Sequence, residues 1–417
     1  MTGLSVQRIA HPVVVSMVFM VLAACSGSSA DSRVAEVPLY LDILTLETSM
    51  EDDPTLDDYQ LVSPDGIGVD EAGNIYVADE YSLKVYEPDG SPLKLIGREG
   101  SGPGEFGAVL SAVVGPSGYI AAMDVLWDAN IYAPDGEFLY RSRYRNEQPF
   151  RDHLRASGFT FTMMREVLAL DSEHLLIDLF TLNNMLPGPY VGALELLLAT
   201  RDTLLTVCSC TNYEAIKIGE NSSTTAEFQG NLLWSLADDD RLLYTHTSID
   251  RVAEGTDPRY HLIVLHLNDM STDTLAIPWT PEAIPPAVKE IKPHYSEFLD
   301  MTFEVEPVVK QILDNTEFYP PLKAFRIDEG IVFGFHYSPT DSVERDFEDD
   351  DLEVEPHLVD IIDLDTGRLL ARAEFPFLPE VIRGGRAYRL YTPEDDFPAV
   401  YVYRIDPAIY TLRDGQG

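Results

Sequence analysis

Four side chains in this sequence stand where acid–base or metal chemistry could be done: Asp79, Asp124, His246 and His336. Each directly follows a short apolar run: Ile75 to Ala78, Ile120 to Met123, Leu242 to Thr245 and Ile331 to Phe335. Carboxylates and imidazoles meeting at the ends of equivalent strands could hold a metal or act as acid and base. An Asp in that position also has a plainer use, accepting backbone N–H groups of the turn that follows. Trp127, three residues beyond Asp124, offers a stacking platform for a ligand or a plug for a rim. Arg165 and Arg326 lie in other strand-like runs and could meet an anionic ligand, but strand alternation leaves their direction open.

A different chemistry is suggested by Glu344 to Glu353. There Asp346, Glu348, Asp349, Asp350 and Asp351 crowd oxygen ligands onto one segment, and Asp79 and Asp124 extend the set of candidate metal ligands. Ca²⁺ is the cofactor such a loop would take, since hard cations want several oxygens on a pliable chain. Against this, the segment has no Asp-x-Asp-x-Asp-Gly pattern, and runs of charge are usually solvated. Cys208 and Cys210 are two apart, hence on one face of a strand, without a second Cys/His pair at zinc spacing. Neither a Gly-x-Ser-x-Gly elbow nor a His-Glu-x-x-His pair is present.

The elements that must position these residues are written as a repeat. Gly73-Asn74-Ile75-Tyr76-Val77-Ala78-Asp79 is followed by Val85-Tyr86-Glu87-Pro88-Asp89-Gly90; Ser117 to Asp124 is followed by Ile131-Tyr132-Ala133-Pro134-Asp135-Gly136. A period of about 45 residues, built of short strands and Gly/Asp turns, is that of a β-propeller blade. Between the two units lies Gly97-Arg98-Glu99-Gly100-Ser101-Gly102-Pro103-Gly104-Glu105-Phe106. It is no phosphate loop, because neither Lys-Ser/Thr nor a long helix follows.

Gly-x-Gly-Pro-Gly-Glu-Phe between Gly-Asn-Ile-Tyr-Val-Ala-Asp units resembles the NHL-repeat propellers, and still more the bacterial secreted six-bladed β-propeller lipoproteins related to them. The resemblance is strong over 61–143 and weaker over 320–405. It implies location and shape more than activity, although related propellers include lactone hydrolases and lyases with a divalent cation in the central channel.

The expected fold is all-β: a six-bladed propeller of four-stranded blades over 47–417, with a small helical insert at about 281–316 between blades four and five. Blade one runs from Leu61 to Ile96. Blade three takes Phe159–Leu170, Leu175–Leu179, Ala193–Ala199 and Thr203–Val207; blade four takes Leu232–Leu236, Arg241–Thr245, Tyr260–Leu267 and Thr274–Ile277. Blade five takes Leu322–Ile327, Ile331–Phe335, Leu358–Leu364 and Leu369–Phe375. Blade six has Val381-Ile382, Ala387–Tyr391 and Ala399–Ile405 but no outer strand, and 37–46 is expected to close the ring there. The connections between second and third strands are long in blades three to five (Thr181–Gly192, Thr247–Arg259, Tyr337–His357). Together with the insert they open on one face, which is therefore the expected binding face.

The first 24 residues read as a signal peptide, with Arg8 and His11 before the apolar run Val13–Leu22. Leu22-Ala23-Ala24-Cys25 resembles the bacterial lipobox, which implies cleavage before Cys25 and lipidation of its thiol. Ser26, where an inner-membrane retention Asp would stand, directs the expectation to the outer membrane, with 25–36 as a flexible tether. Net charge is −41, from 70 acidic and 29 basic residues. So acidic a chain is a poor match for nucleic acid. The expected partners are the membrane, through the lipid, and a protein or glycan on the long-loop face. The expected role is a binding or scaffold module; a metal-dependent hydrolase or lyase is the alternative.

Overall fold

The computed structural model describes residues 37–50, 57–159, 161–182, 190–217, 223–225, 228, 230–247, 258–289, 294–296, 301–303, 307–337, 356–391 and 397–413. Twenty-odd short strands assort into six antiparallel sheets arranged as the blades of a propeller. Blade one is Pro64–Val69, Ile75–Asp79, Ser82–Tyr86 and Pro92–Ile96; blade two is Val109–Val114, Ile120–Asp124, Ala129–Tyr132 and Phe138–Ser142. Blade three is Phe161–Ala169, Leu175–Leu182, Tyr190–Ala199 and Leu204–Lys217, with a fifth strand, Ser223–Thr225, at its edge. Blade four is Leu232–Leu236, Arg241–His246, Arg259–His266 and Thr272–Pro278. Blade five is Ala324–Asp328, Ile331–Phe335, His357–Asp363 and Leu369–Phe375.

Blade six is assembled from both ends of the chain. Val381–Arg383, Arg386–Tyr391 and Ala399–Ile405 are completed by Leu44–Met50, antiparallel to Ala399–Ile405 with Leu44 opposite Ile405. The closing strand thus lies later than the expected 37–46. The residues before it do a separate job: Leu39 and Tyr40 pair in parallel with Arg372 and Ala373 on the outer edge of blade five. A single N-terminal segment therefore caps two blade edges, which would otherwise expose unpaired backbone.

Sequence alternation explains how the blades stack. In Ile75–Asp79, Ile75 and Val77 pack with Tyr388, Val400 and Val402 of blade six. Tyr76 and Ala78 face the other way, onto Val109, Ile120 and Ala122 of blade two. The same split recurs one blade on, where Ala121 and Met123 pack against Val167, Ile177 and Leu197 of blade three. Because a strand's side chains alternate, a blade buried on both faces needs apolar residues at every position, and Ile75–Asp79 and Ile120–Asp124 are buried throughout. Apolar clusters likewise join blades three and four, four and five, and five and six, so the ring is sealed all the way round.

The glycine-rich connection is a built corner. Phe106 is fully buried, and its backbone exchanges hydrogen bonds with Arg98 and Gly100. A Cβ on Gly97, at φ +82°, would stand 2.4 Å from the Phe106 ring, so only glycine lets the ring seat there. Between blades four and five the chain forms a 3₁₀ turn (Pro286–Lys289), a small hairpin (His294–Ser296 with Met301–Phe303) and a helix, Pro307–Asn315. A second helix, Gln148–Ser157, sits between blades two and three, where the sequence reading placed none.

Candidate functional site

The inner strands of all six blades enclose a central channel with a cavity of about 490 Å³. Its lining runs from Glu166 and Arg326 at mid-strand, and Glu380 just before the inner strand of blade six, to Glu71, Asp239 and Glu329 just beyond the inner strands' C-terminal ends, where Arg383 also lies. In an antiparallel blade, the inner-to-second turn lies on the same face as the third-to-outer turn. The channel mouth therefore opens among the short turns, such as Asp89-Gly90 and Asp135-Gly136. The long loops belong to the opposite face.

Three ionisable groups occupy the waist of the channel. Arg326 Nε donates to the carbonyls of Pro379 (3.0 Å) and Glu380 (2.8 Å), and its Nη1 to that of Phe325 (2.9 Å). Burial pulls this guanidinium below its ordinary value, and the nearby charges of Glu166 and Glu380 offset only part of that. Glu380 accepts the backbone N–H of Leu390 at 3.1 Å, and burial raises its carboxyl. Glu166 accepts no hydrogen bond from any described residue. Burial and then the charge of Asp178 push its carboxyl up to about 7; Arg326 and Arg165 pull the other way without prevailing.

Of the two arginines singled out in the sequence, Arg326 lines the channel and Arg165 does not. A register shift between Met164 and Glu166 in the inner strand of blade three accounts for the difference. The bulge breaks the two-residue period, so Arg165 reaches Asp178 (3.6 Å) while its neighbour Glu166 enters the channel. The sequence reading left the direction of Arg165 open and did not single out Glu166. Asp178 also accepts the indole N–H of Trp234 (3.0 Å), another residue lining the cavity.

The four residues at the ends of second strands are distributed one to a blade and served locally. Asp79 accepts the backbone N–H of Ser63 (2.7 Å) and of Val62 and pairs with Lys84 Nζ at 2.6 Å. Asp124 accepts N–H groups of Leu126 (2.8 Å) and Asp128 (3.2 Å) and pairs with Arg141 at 2.6 Å. His336 Nε2 stands 3.0 Å from Asp360 Oδ2, which also accepts the Tyr260 hydroxyl at 3.0 Å; Arg372 Nε donates to Asp360 Oδ1. Burial alone would raise the Asp360 carboxyl, but His336 and Arg372 outweigh it and hold it below its usual range. His246 is buried in blade four, opposite Leu232. The structure does not bring these four together.

Trp127 is half-buried against the cluster between blades two and three, its backbone at φ +61° in the turn after Asp124. It fills the rim rather than offering an open platform. Cys208 and Cys210 carry unbonded thiols on the outer strand of blade three. Cys25, with the signal peptide and tether, and the acidic run containing Asp346, Glu348, Asp349, Asp350 and Asp351 lie outside the described residues. Among the described residues, no group of three His, Cys, Asp or Glu side chains is placed to hold a metal ion. A divalent cation in the channel would meet the half-buried Arg326 guanidinium, which already stands beside Glu166 and Glu380. No described helix is long and apolar enough to cross a membrane.

No family model matches this chain, and no curated protein matches it at a significant level. Solved structures are similar at low identity. A Bacteroides fragilis protein described as exported shares 13% identity over 88% of this chain and 99% of its own, with a TM-score of 0.45. A protein of unknown function from Bacteroides caccae shares 12% over 75% and 81%, at 0.34. A gluconolactonase of Xanthomonas campestris shares 9% over 87% and 97%, at 0.40.

Proposed function

We propose that this chain is an exported, lipid-anchored β-propeller that serves in the cell envelope, at the outer membrane, as a binding or scaffold module for a protein or glycan. It does no catalysis of its own. Its partner meets the long-loop face. The observation carrying this reading is an aromatic knot at the foot of that face. Tyr319, at the exit of the insert, stacks on Tyr337, at the start of the blade-five loop, with ring centroids 5.2 Å apart; Phe228, from the connection into blade four, packs edge-on against both. Three connections of one face are thereby tied to a common rigid base, which suits recognition of a large partner. The commitment of Asp79 and Asp124 to pairs within their own blades also favours a scaffold over an enzyme that uses them.

Two measurements test it. Metabolic labelling with a radiolabelled fatty acid should mark the wild type and not Cys25→Ala. Crosslinking in intact cells should capture one dominant protein or glycan through the long-loop face, and Tyr337→Ala should lose it while the propeller stays folded. Labelling of Cys25→Ala, or capture indifferent to Tyr337, overturns the reading. The metal-dependent hydrolase or lyase keeps no support from the channel, whose waist holds a guanidinium.

A further inference from the structure

Taking the long-loop face as the binding face proposed above, we infer that its occupant is a protein with a basic, apolar surface, docked on a shelf formed by blades six, one and two. Over these three blades the tips of that face are apolar. Val62 enters blade one, Tyr81 and Val125-Leu126 lie in the second-to-third turns of blades one and two, and Tyr391 and Phe397 flank the equivalent connection of blade six. All six are exposed, Leu126 by 67%. At the other ends of the same blades the turns read Asp89-Gly90, Ser117-Gly118, Asp135-Gly136 and Gly384-Gly385. Turn geometry asks for residues of that second kind, so folding does not account for the apolar tips. The tips are also tied together. Val62 N–H donates to the Asp79 carboxylate (3.1 Å), Val109 N–H to the Glu80 carbonyl beside Tyr81 (2.8 Å), and Val125 N–H to the Ala108 carbonyl (3.1 Å). A shelf fixed by such bonds loses little freedom when it is covered.

Charge and chain direction select the occupant. Beside the shelf, Arg98 pairs with Glu105 (2.8 Å), Arg143 pairs with Asp128 (3.4 Å), and Arg389 lies over the Tyr391 ring (4.5 Å). Asp58 and Glu80 are exposed on its own connections, with no ion pair to any described residue. On a chain of net charge −41, a basic partner is the complementary one. A second copy would bring the same charge and be repelled. A bilayer is disfavoured by the direction of the N-terminal segment. Leu39 and Tyr40 run parallel to the outer strand of blade five, from its short-turn end toward its long-loop end, so the chain enters from the side opposite the shelf. A glycan would give up water from its hydroxyls against Val62, Val125 and Leu126, whose side chains return no hydrogen bond. An apolar protein surface flanked by Lys or Arg meets all three conditions.

The test repeats the crosslinking in intact cells with Leu126→Ser and with Met270→Ser, the latter at an exposed turn of the opposite face. Leu126→Ser should cut capture about tenfold or more and Met270→Ser should leave it unchanged. Mass spectrometry of the adduct should find partner peptides with Lys or Arg beside apolar residues. In calorimetry, the purified mature protein should bind an amphipathic helical peptide of Leu and Lys saturably, and Leu126→Ser should weaken that binding. Peptides of the same length made of Leu and Glu, or of Ser and Lys, should not bind. A sugar adduct, equal effects of the two substitutions, or the Ser/Lys peptide binding as tightly as the Leu/Lys peptide overturns the inference. So does uptake by phosphatidylethanolamine–phosphatidylglycerol vesicles that Leu126→Ser abolishes. Capture lost in Tyr337→Ala but untouched by Leu126→Ser would sink the shelf and leave the long-loop face standing. Capture indifferent to both would remove the face itself.

Discussion

Lys84 Nζ lies 2.6 Å from Asp79 Oδ2 in the interior of blade one, with both side chains shielded from solvent. The carboxylate that the sequence offers as a catalytic candidate is thus neutralised by the next strand of its own blade. Breaking a buried pair from the acid side leaves the ammonium with the carbonyl of Gln60 but no counter-charge, at about 3–5 kcal/mol. Removing the lysine leaves Asp79 still accepting N–H groups from Val62 and Ser63, so the loss is smaller, about 1–3 kcal/mol. Urea unfolding should therefore rank Asp79→Ala below Lys84→Met, with the wild type most stable. The opposite order would mean that the pair is not what holds this corner.

The N-terminal segment should be worth more than its length. Leu44–Met50 supplies the outer strand of blade six, and Met50 packs with Tyr388 and Val400 at the seam with blade one. Removing residues through Glu36 should leave the melting temperature of the mature chain unchanged. Removing residues through Met50 should expose the edge of Ala399–Ile405, broaden or abolish the cooperative transition, and make blade six the first site of proteolysis. A shortened chain that melts as the intact one does would show that the ring closes without this strand.

Cys208 and Cys210 should be poor nucleophiles in the folded protein. Burial, with the neighbouring thiol second, pushes Cys208 up to about 12, and burial pushes Cys210 up to about 11. A raised thiol pKa means less thiolate at a given pH, and the thiolate is the reactive form. Reaction with an aromatic disulfide reagent near pH 8 should be slow in buffer and fast in denaturant. Equal rates in both would show the outer strand of blade three to be open.

Blades one and two were legible because each turn is spelled out: Gly73, Gly90, Gly118 and Gly136 all adopt positive φ, where the repeat places them. Blade three was harder to read. Its outer strand runs to Lys217, well past the expected Val207, and no turn residue marks where pairing continues. The helix Gln148–Ser157 did carry signals, Pro149 in its first turn and Gly158 closing it at φ +77°, but its polar surface hid the period. What hid the channel was the bulge before Glu166. A two-residue period reads outward from a strand's ends, and one inserted residue reverses which of two adjacent charged side chains faces the axis.

The same bulge makes stability depend on pH in a direction unusual for a carboxylate. In the unfolded chain Glu166 ionises in the ordinary range near 4.5, whereas in the channel its pKa is about 7. With the folded value raised, the favourable contribution is complete below the ordinary value and is lost as pH climbs through about 7. A rise of that size corresponds to about 3 kcal/mol, and we discount it to about 2 kcal/mol because the carboxylate borders a solvent-filled channel. Glu166→Gln, which keeps the shape and removes the titration, should gain on the wild type as pH is raised from about 5 to about 8. Parallel pH–stability curves for the two proteins would show instead that Glu166 is ionised throughout and already paired.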